Sequence, residues 1–155
     1  MPGLNIVLLE PEIPANTGNI GRSCVVTGSA LHLIRPLGFY IDDRSIKRAG
    51  MDYWSQLDVR YYDDFEDFLN QNRYPVIYMT SSKVTRCYAD VSYPPEAFIM
   101  FGKESAGIPR DILDLYPDTC VRIPMLPGGR CLNLSSSVTV VLYEALRQQG
   151  FIGML

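Results

Sequence analysis

Three stretches of this 155-residue chain concentrate groups that could handle a polar small molecule. Residues 11–22 read PEIPANTGNIGR, residues 101–109 read FGKESAGIP, and residues 123–137 read IPMLPGGRCLNLSSS. Each mixes Gly and Pro, which open the backbone, with amide, hydroxyl or charged side chains. Many backbone donors and acceptors then crowd into a small space, as recognition of a polar ligand requires. Taken alone, the third stretch is an ordinary strand–loop–helix connection. Pro124 cannot donate to a ladder, Pro127-Gly128-Gly129 makes an open loop, and Asn133 to Ser137 offer caps for a helix start. Spacing excludes several other chemistries. Gly102 and Gly107 stand at Walker-like separation, but Ile108-Pro109 occupies the place of Lys-Ser/Thr. Lys103 stands where a nucleophile elbow around Ser105 needs glycine. Residues 17–21 hold too few glycines for a dinucleotide fingerprint. His32, the one histidine, lies inside an apolar run and reads as a satisfied imidazole rather than a triad member. The four cysteines are scattered without a CxxC pair, so neither a zinc site nor a disulfide framework is expected, and Cys24 and Cys120 read as core.

The elements that must position these stretches alternate between strand and helix. Residues 4–10 (LNIVLLE) form a near-continuous apolar run, expected as a buried strand. Residues 11–19 are its exit loop, and a helix is expected over 20–27, ended by Gly28. Further strands are expected at 30–34, 59–62, 76–80, 97–101 and 119–123. A short helix or turn at 42–50 carries Arg44, Lys47 and Arg48. An acidic helix capped by Asp63 buries Phe65, Phe68 and Leu69, and a short helix at 109–115 has proline at its start. In the last helix Leu134, Val138, Val141, Leu142 and Ala145 line one face. This alternation predicts an α/β fold around a mostly parallel sheet, in one domain spanning residues 1–155. In such sheets ligands collect beyond the carboxyl ends of the strands, where all three stretches belong. Their convergence would build one pocket.

The bulk properties are those of a soluble globular protein, with 47% hydrophobic and 20% charged residues. No apolar run approaches the ~18 residues of a membrane span. The opening Met-Pro-Gly-Leu-Asn-Ile lacks a basic region followed by an apolar signal core, so cytoplasmic action is expected. A net charge of −3 argues at first against a nucleic-acid partner. Its distribution weakens that objection: Asp63, Asp64, Glu66 and Asp67 cluster in residues 63–72, and outside that segment 14 basic residues face 13 acidic ones. A focused RNA contact is compatible with this balance.

Together the three stretches resemble the motifs of the SPOUT RNA methyltransferases. The matching residues are Asn16-Thr17-Gly18-Asn19-Ile20-Gly21-Arg22, Phe101 to Pro109, and Ile123-Pro124-Met125 followed by Leu132 to Ser137. They stand in the family's order and spacing, and the resemblance covers essentially the whole chain. The pattern NxGNxxR is that of the branch that methylates ribose 2′-hydroxyls. The short length, the opening LNIVLLEPEIPANTGNIGR and residues 47–53 (KRAGMDY) narrow it to the TrmL (YibK-like) group, which methylates the wobble ribose of certain leucine tRNAs.

That resemblance implies a deep trefoil knot in the carboxyl half, S-adenosylmethionine bound in the knot, a homodimer, no metal, and the tRNA anticodon stem-loop as substrate. It implies cofactor contacts at Met79, Gly102, Ile123 and Cys131, with Asn16, Asn133 and Ser135 shaping the pocket. Cys131 departs from the serine expected there, which leaves a backbone contact intact. The resemblance also implies catalytic roles for Arg22 and Glu104. An arginine is not usefully deprotonated in a protein, so Arg22 is expected to hold a phosphate and stabilise alkoxide charge. Glu104 is expected to order its loop or sit near the sulfonium. Arg44, Lys47, Arg48, Arg130 and Tyr143 are the expected RNA contacts. A ribose methyltransferase for another tRNA or rRNA site, and a non-catalytic RNA-binding protein of the same fold, are the alternatives.

Overall fold

A computed structural model of the chain describes residues 3–48 and 51–155, with the backbone alone at residues 43, 46 and 47. Six strands, β1 (Asn5–Leu9), β2 (Ala30–Ile34), β3 (Val59–Tyr62), β4 (Ile77–Thr80), β5 (Phe98–Phe101) and β6 (Cys120–Val121), form one sheet in the order β3-β2-β1-β5-β4-β6. All five strand pairings are parallel. The helices are α1 (Pro14–Thr27), α2 (Asp43–Arg48), α3 (Phe65–Gln71), α4 (Arg110–Leu113) and α5 (Leu134–Gln148). Short 3₁₀ turns at Asp52–Gln56 and Tyr88–Asp90 were not expected from the sequence.

Strand alternation divides the core into two layers. Ile6 and Leu8 of β1 face α1 and α5, where Ile20, Cys24, Val138, Val141, Leu142 and Ala145 complete one layer. Val7 and Leu9 face the other way, onto Phe68, Leu69, Met79, Met100, Leu113 and Cys120. Cys24 and Cys120 are core residues, as expected. Burial pushes the Cys24 thiol up to about 12, so it stays protonated.

The strand order reverses at β1. The chain runs outward through β2 and β3, then returns through β4 and β5 to the other side of β1. Loops leaving β1 and β5 therefore diverge at a switch point, and a crevice opens between them. Because the sheet is parallel, the loops after β4 and β6 emerge at the same edge.

Two helix starts differ from expectation. Helix α1 begins at Pro14 rather than residue 20, taking in residues 14–19 of the expected loop. Helix α3 is capped by Asp64, whose carboxylate accepts from the Asp67 N–H, and not by Asp63. At α4, Pro109 is the N-cap and the helix ends at Leu113. Among the described residues no helix is long and apolar enough to cross a membrane, and no cluster of His, Cys, Asp and Glu could hold a metal ion.

Candidate active site

A cavity of about 470 Å³ lies at the carboxyl edge of β1, β4, β5 and β6. Thr80 to Lys83 wall it after β4, Phe101 to Gly107 after β5, and Arg122, Ile123, Met125 and Cys131 to Leu134 after β6. Ile13 and Asn16 close it from the start of α1. The three sequence stretches do converge on one pocket.

Glu104 is the knot of hydrogen bonds that holds them there. Helix α1 has no side-chain cap of its own, because Ile13 occupies the N-cap. The Glu104 carboxylate instead anchors the chain entering the helix from 92 residues away, accepting from the Glu12 N–H at 2.8 Å and the Ile13 N–H at 3.2 Å. Its negative charge also sits at the positive end of the helix dipole. In return the Glu12 carboxylate accepts from the Ser105 N–H at 2.8 Å. Hydrogen bonds from the Ser105 hydroxyl and N–H hold the Glu12 carboxyl below the ordinary carboxylate value.

The relay continues through two amides. Asn16, buried to 5% exposure, donates to Glu104 at 3.3 Å and accepts from the Asn133 amide at 3.0 Å. Asn133 then caps α5, accepting from the Ser135 N–H at 2.9 Å and the Ser135 hydroxyl at 2.5 Å. A carboxylate only accepts, so it fixes the direction of every bond down the chain. Both amide orientations follow from that polarity.

Two basic residues missed in the sequence staple the pocket walls. The Lys83 ammonium donates to the carbonyls of Ala106 and Ile108, at 3.2 and 2.8 Å. Arg122 donates to the Ser82 carbonyl at 2.7 Å. No local motif announces either one, since both partners are backbone oxygens of distant loops.

Gly102 lines the pocket for a different reason from the expected one. A Cβ there would lie 2.1 Å from the Gly107 carbonyl carbon and 2.2 Å from the Ile108 nitrogen. The chain's own tight turn, with Gly107 at φ 68°, excludes the side chain before any ligand does. Met79 is not brought to the pocket. Strand alternation buries its side chain in the second core layer and turns Thr80 to the pocket instead. The Thr80 hydroxyl is buried there without a partner among the described residues. Ile123 and Cys131 line the pocket, whereas Ser135 is drawn onto Asn133.

Arg22 stands on another face of α1 and does not line the pocket. Its guanidinium lies 5.7 Å from the Tyr53 ring centroid, and the Tyr53 hydroxyl donates to the Gly18 carbonyl. An exposed cation–π contact is worth about 0.5–1 kcal/mol, little enough to be exchanged for a phosphate. Arg44, Arg48, Arg130 and Tyr143 are exposed, and the Lys47 side chain lies outside the described residues.

His32 is structural, as its sequence setting implied. Asn5 donates to the Glu96 carbonyl, so its oxygen accepts from His32 Nε2–H at 2.9 Å. Nδ1 is then free to accept from the Tyr62 hydroxyl at 2.7 Å. Burial, reinforced by the Arg60 charge, lowers the imidazole pKa to about 4.

The model of the SpoU rRNA Methylase family matches residues 3–143. A protein of Escherichia coli (strain K12) named tRNA (cytidine(34)-2′-O)-methyltransferase is 46% identical, with 97% of this chain and 96% of that protein covered. A Yersinia pestis protein of the same name is 45% identical, with 98% of each covered. A solved structure described as giving insight into the 2-OH methylation of C/U34 on tRNA superposes with TM-score 0.89 at 38% identity, over 97% of this chain and 98% of the other. The AviRb methyltransferase of Streptomyces viridochromogenes, solved with AdoMet, shares the fold at TM-score 0.79 and 24% identity, over 99% of this chain and 59% of the other.

Proposed function

Because the chain belongs to the SpoU rRNA methylase family, we propose that it methylates the ribose 2′-hydroxyl of nucleotide 34, the wobble position of tRNA, with S-adenosylmethionine as methyl donor. The observation that carries this is near-full-length identity of 45–46% to proteins named for that reaction. The pocket fits the donor. It combines a buried hydroxyl awaiting a partner at Thr80 with backbone edges at Ile123 and residues 131–134 suited to an adenine. When bound, the donor would supply an electrophilic methyl carbon on a sulfonium that leaves as a neutral thioether, the ribose hydroxyl proton passing to solvent water.

The protein's part is positioning and charge. Arg22, permanently cationic, holds the adjacent phosphate and stabilises negative charge developing on the ribose oxygen. Glu104 is a positioning residue: its oxygens already serve three donors and fix the loop around the donor. Cys131 contributes through its backbone, and Asn133 through the Asn16 relay.

The same reading makes residues 1–155 one domain acting in the cytoplasm as a homodimer. Exposed Val26, Leu126 and Leu132 are apolar surface that a second copy would cover. Arg44, Lys47, Arg48, Arg130 and Tyr143 would meet the anticodon stem-loop. A trefoil knot is supported by the way residues 81–93 grip the chain that passes to α5. The Tyr88 N–H donates to the Arg122 carbonyl at 2.9 Å, the Arg122 N–H to the Arg86 carbonyl at 2.7 Å, and Gln148 to the Val91 carbonyl at 2.9 Å.

The test is methyl transfer from labelled S-adenosylmethionine to bulk tRNA, with the product nucleotide mapped by mass spectrometry. Label at nucleotide 34 is expected. Label elsewhere, or only in rRNA, would replace the substrate, and no transfer to any RNA would leave a binding protein.

A further inference from the structure

We propose that a second cavity, on the face of α1 turned away from the first, holds an unstacked nucleobase of the RNA; this rests on the RNA-methylating reading above. The cavity encloses about 370 Å³ between the first turns of α1, residues 39–41 and residues 51–54. Thr17 is 1% exposed, and its hydroxyl has no hydrogen-bond partner among the described residues. A buried hydroxyl left unpaired is costly and points to a ligand that completes it. Tyr40 lines the cavity at 89% exposure, so its ring is open to a stacking partner. Gly18 keeps the cavity's shape, because a Cβ there would meet the Met51 sulfur at 2.7 Å.

The chemistry selects the ligand. Among the described residues the lining, which includes Thr17, Asn19, Tyr40, Ser45, Tyr53 and Trp54, offers aromatic rings, neutral hydroxyls and an amide but no charged side chain, which disfavours a phosphate or carboxylate inside. A flat, neutral ring with a hydrogen-bonding edge matches such a site. Gly18 and Arg22 are separated by one turn on α1, so the guanidinium lies on the same helix face, over the Tyr53 ring. A base lodged inside leaves its sugar–phosphate at the mouth, on the face that carries this cation. A threonine hydroxyl both donates and accepts, so the site reads the presence of a base more than its identity.

The experiment pairs protein variants with abasic RNA. Full-length wild type, Thr17→Val and Tyr40→Ala are assayed on an anticodon stem-loop and on a series in which each loop nucleotide in turn lacks its base. Removing the hydroxyl is expected to raise KM about fivefold, and removing the ring about tenfold, with S-adenosylmethionine affinity unchanged in both, the melting temperature raised in Thr17→Val, which relieves an unpaired buried hydroxyl, and unchanged in Tyr40→Ala. At one abasic position the wild type should lose a similar factor, and there both substitutions should become neutral. Equal losses on every stem-loop, or no loss on any, would overturn the base site. Failure of the wild type to methylate the intact stem-loop would instead overturn the RNA reading beneath it. Tyr40→Ala, at an exposed position, keeps the test decisive if Thr17→Val fails to fold.

Discussion

Charge and hydrogen-bond direction govern the individual side chains. Replacing Glu104 by Gln keeps its size but turns one acceptor into an NH₂ group facing backbone donors at Glu12 or Ile13. That variant should lose about 0.5–1.5 kcal/mol of stability, the net worth of a part-exposed hydrogen bond, and bind S-adenosylmethionine more weakly by calorimetry. Arg22→Ala should behave in the opposite way. It should retain cofactor affinity and melting temperature, and lose methyl transfer by about 10²-fold or more, as removal of a charge-stabilising donor does. His32 sets the acid limit of stability. Its folded pKa of about 4 lies below the ordinary 6.5, so the unfolded chain binds the extra proton first. Stability is therefore full above pH 6.5 and falls as pH drops toward 4, by at most about 3 kcal/mol. Glu12, Asp58 and Asp67 are each held below their ordinary values by hydrogen bonds and weaken the fold only at lower pH. Chemical denaturation of His32→Gln at pH 7 and pH 5 should show a smaller difference between the two than wild type does; an unchanged difference would remove His32 from the account.

At the level of elements, two glycines separate conformational strain from steric exclusion. Gly28 ends α1 at φ 66° with nothing within 4 Å of a built Cβ, so Gly28→Ala should cost only about 1 kcal/mol. Gly102→Ala drives a Cβ into the backbone of Gly107 and Ile108, and should cost several-fold more while abolishing cofactor binding. Thermal melts of the two variants measured side by side would check the ranking. Helix α1 shows why sequence reading mislaid a boundary. Pro14 at its first turn is a recognised start signal, but Ile13 carries no capping group. The entry of the helix is anchored instead by Glu104, and no local pattern encodes a partner so distant. By contrast Asn133 carries its own cap, and α5 was legible from its first residue.

For the whole molecule, parallel pairing brings every βα loop to one edge, and the return of β5 beside β1 opens the crevice between them. The proposed homodimer predicts a scattering mass of twice the 17.5 kDa chain. Binding of tRNA should weaken steeply with salt, because phosphate contacts release counterions; affinity independent of salt would contradict a surface built on Arg44, Arg48 and Arg130.

Apolar periodicity and loop composition in the sequence were enough for the α/β class, the strand positions and the three motif loops. Those properties are local, encoded within a few residues of where they act. Motif resemblance likewise singled out Glu104 and Asn133, which line the pocket, and Arg22, which the fold sets on another face of α1. Which groups meet was decided only by tertiary structure. It took the fold to show that Glu104 anchors the entry of α1 and orients Asn16, that Lys83 and Arg122 spend their charges on loop carbonyls, and that Met79 turns inward while Thr80 faces the pocket. Each of these depends on loops 20 to 120 residues apart being closed against one another, and on which side of a strand a side chain emerges once the sheet is built.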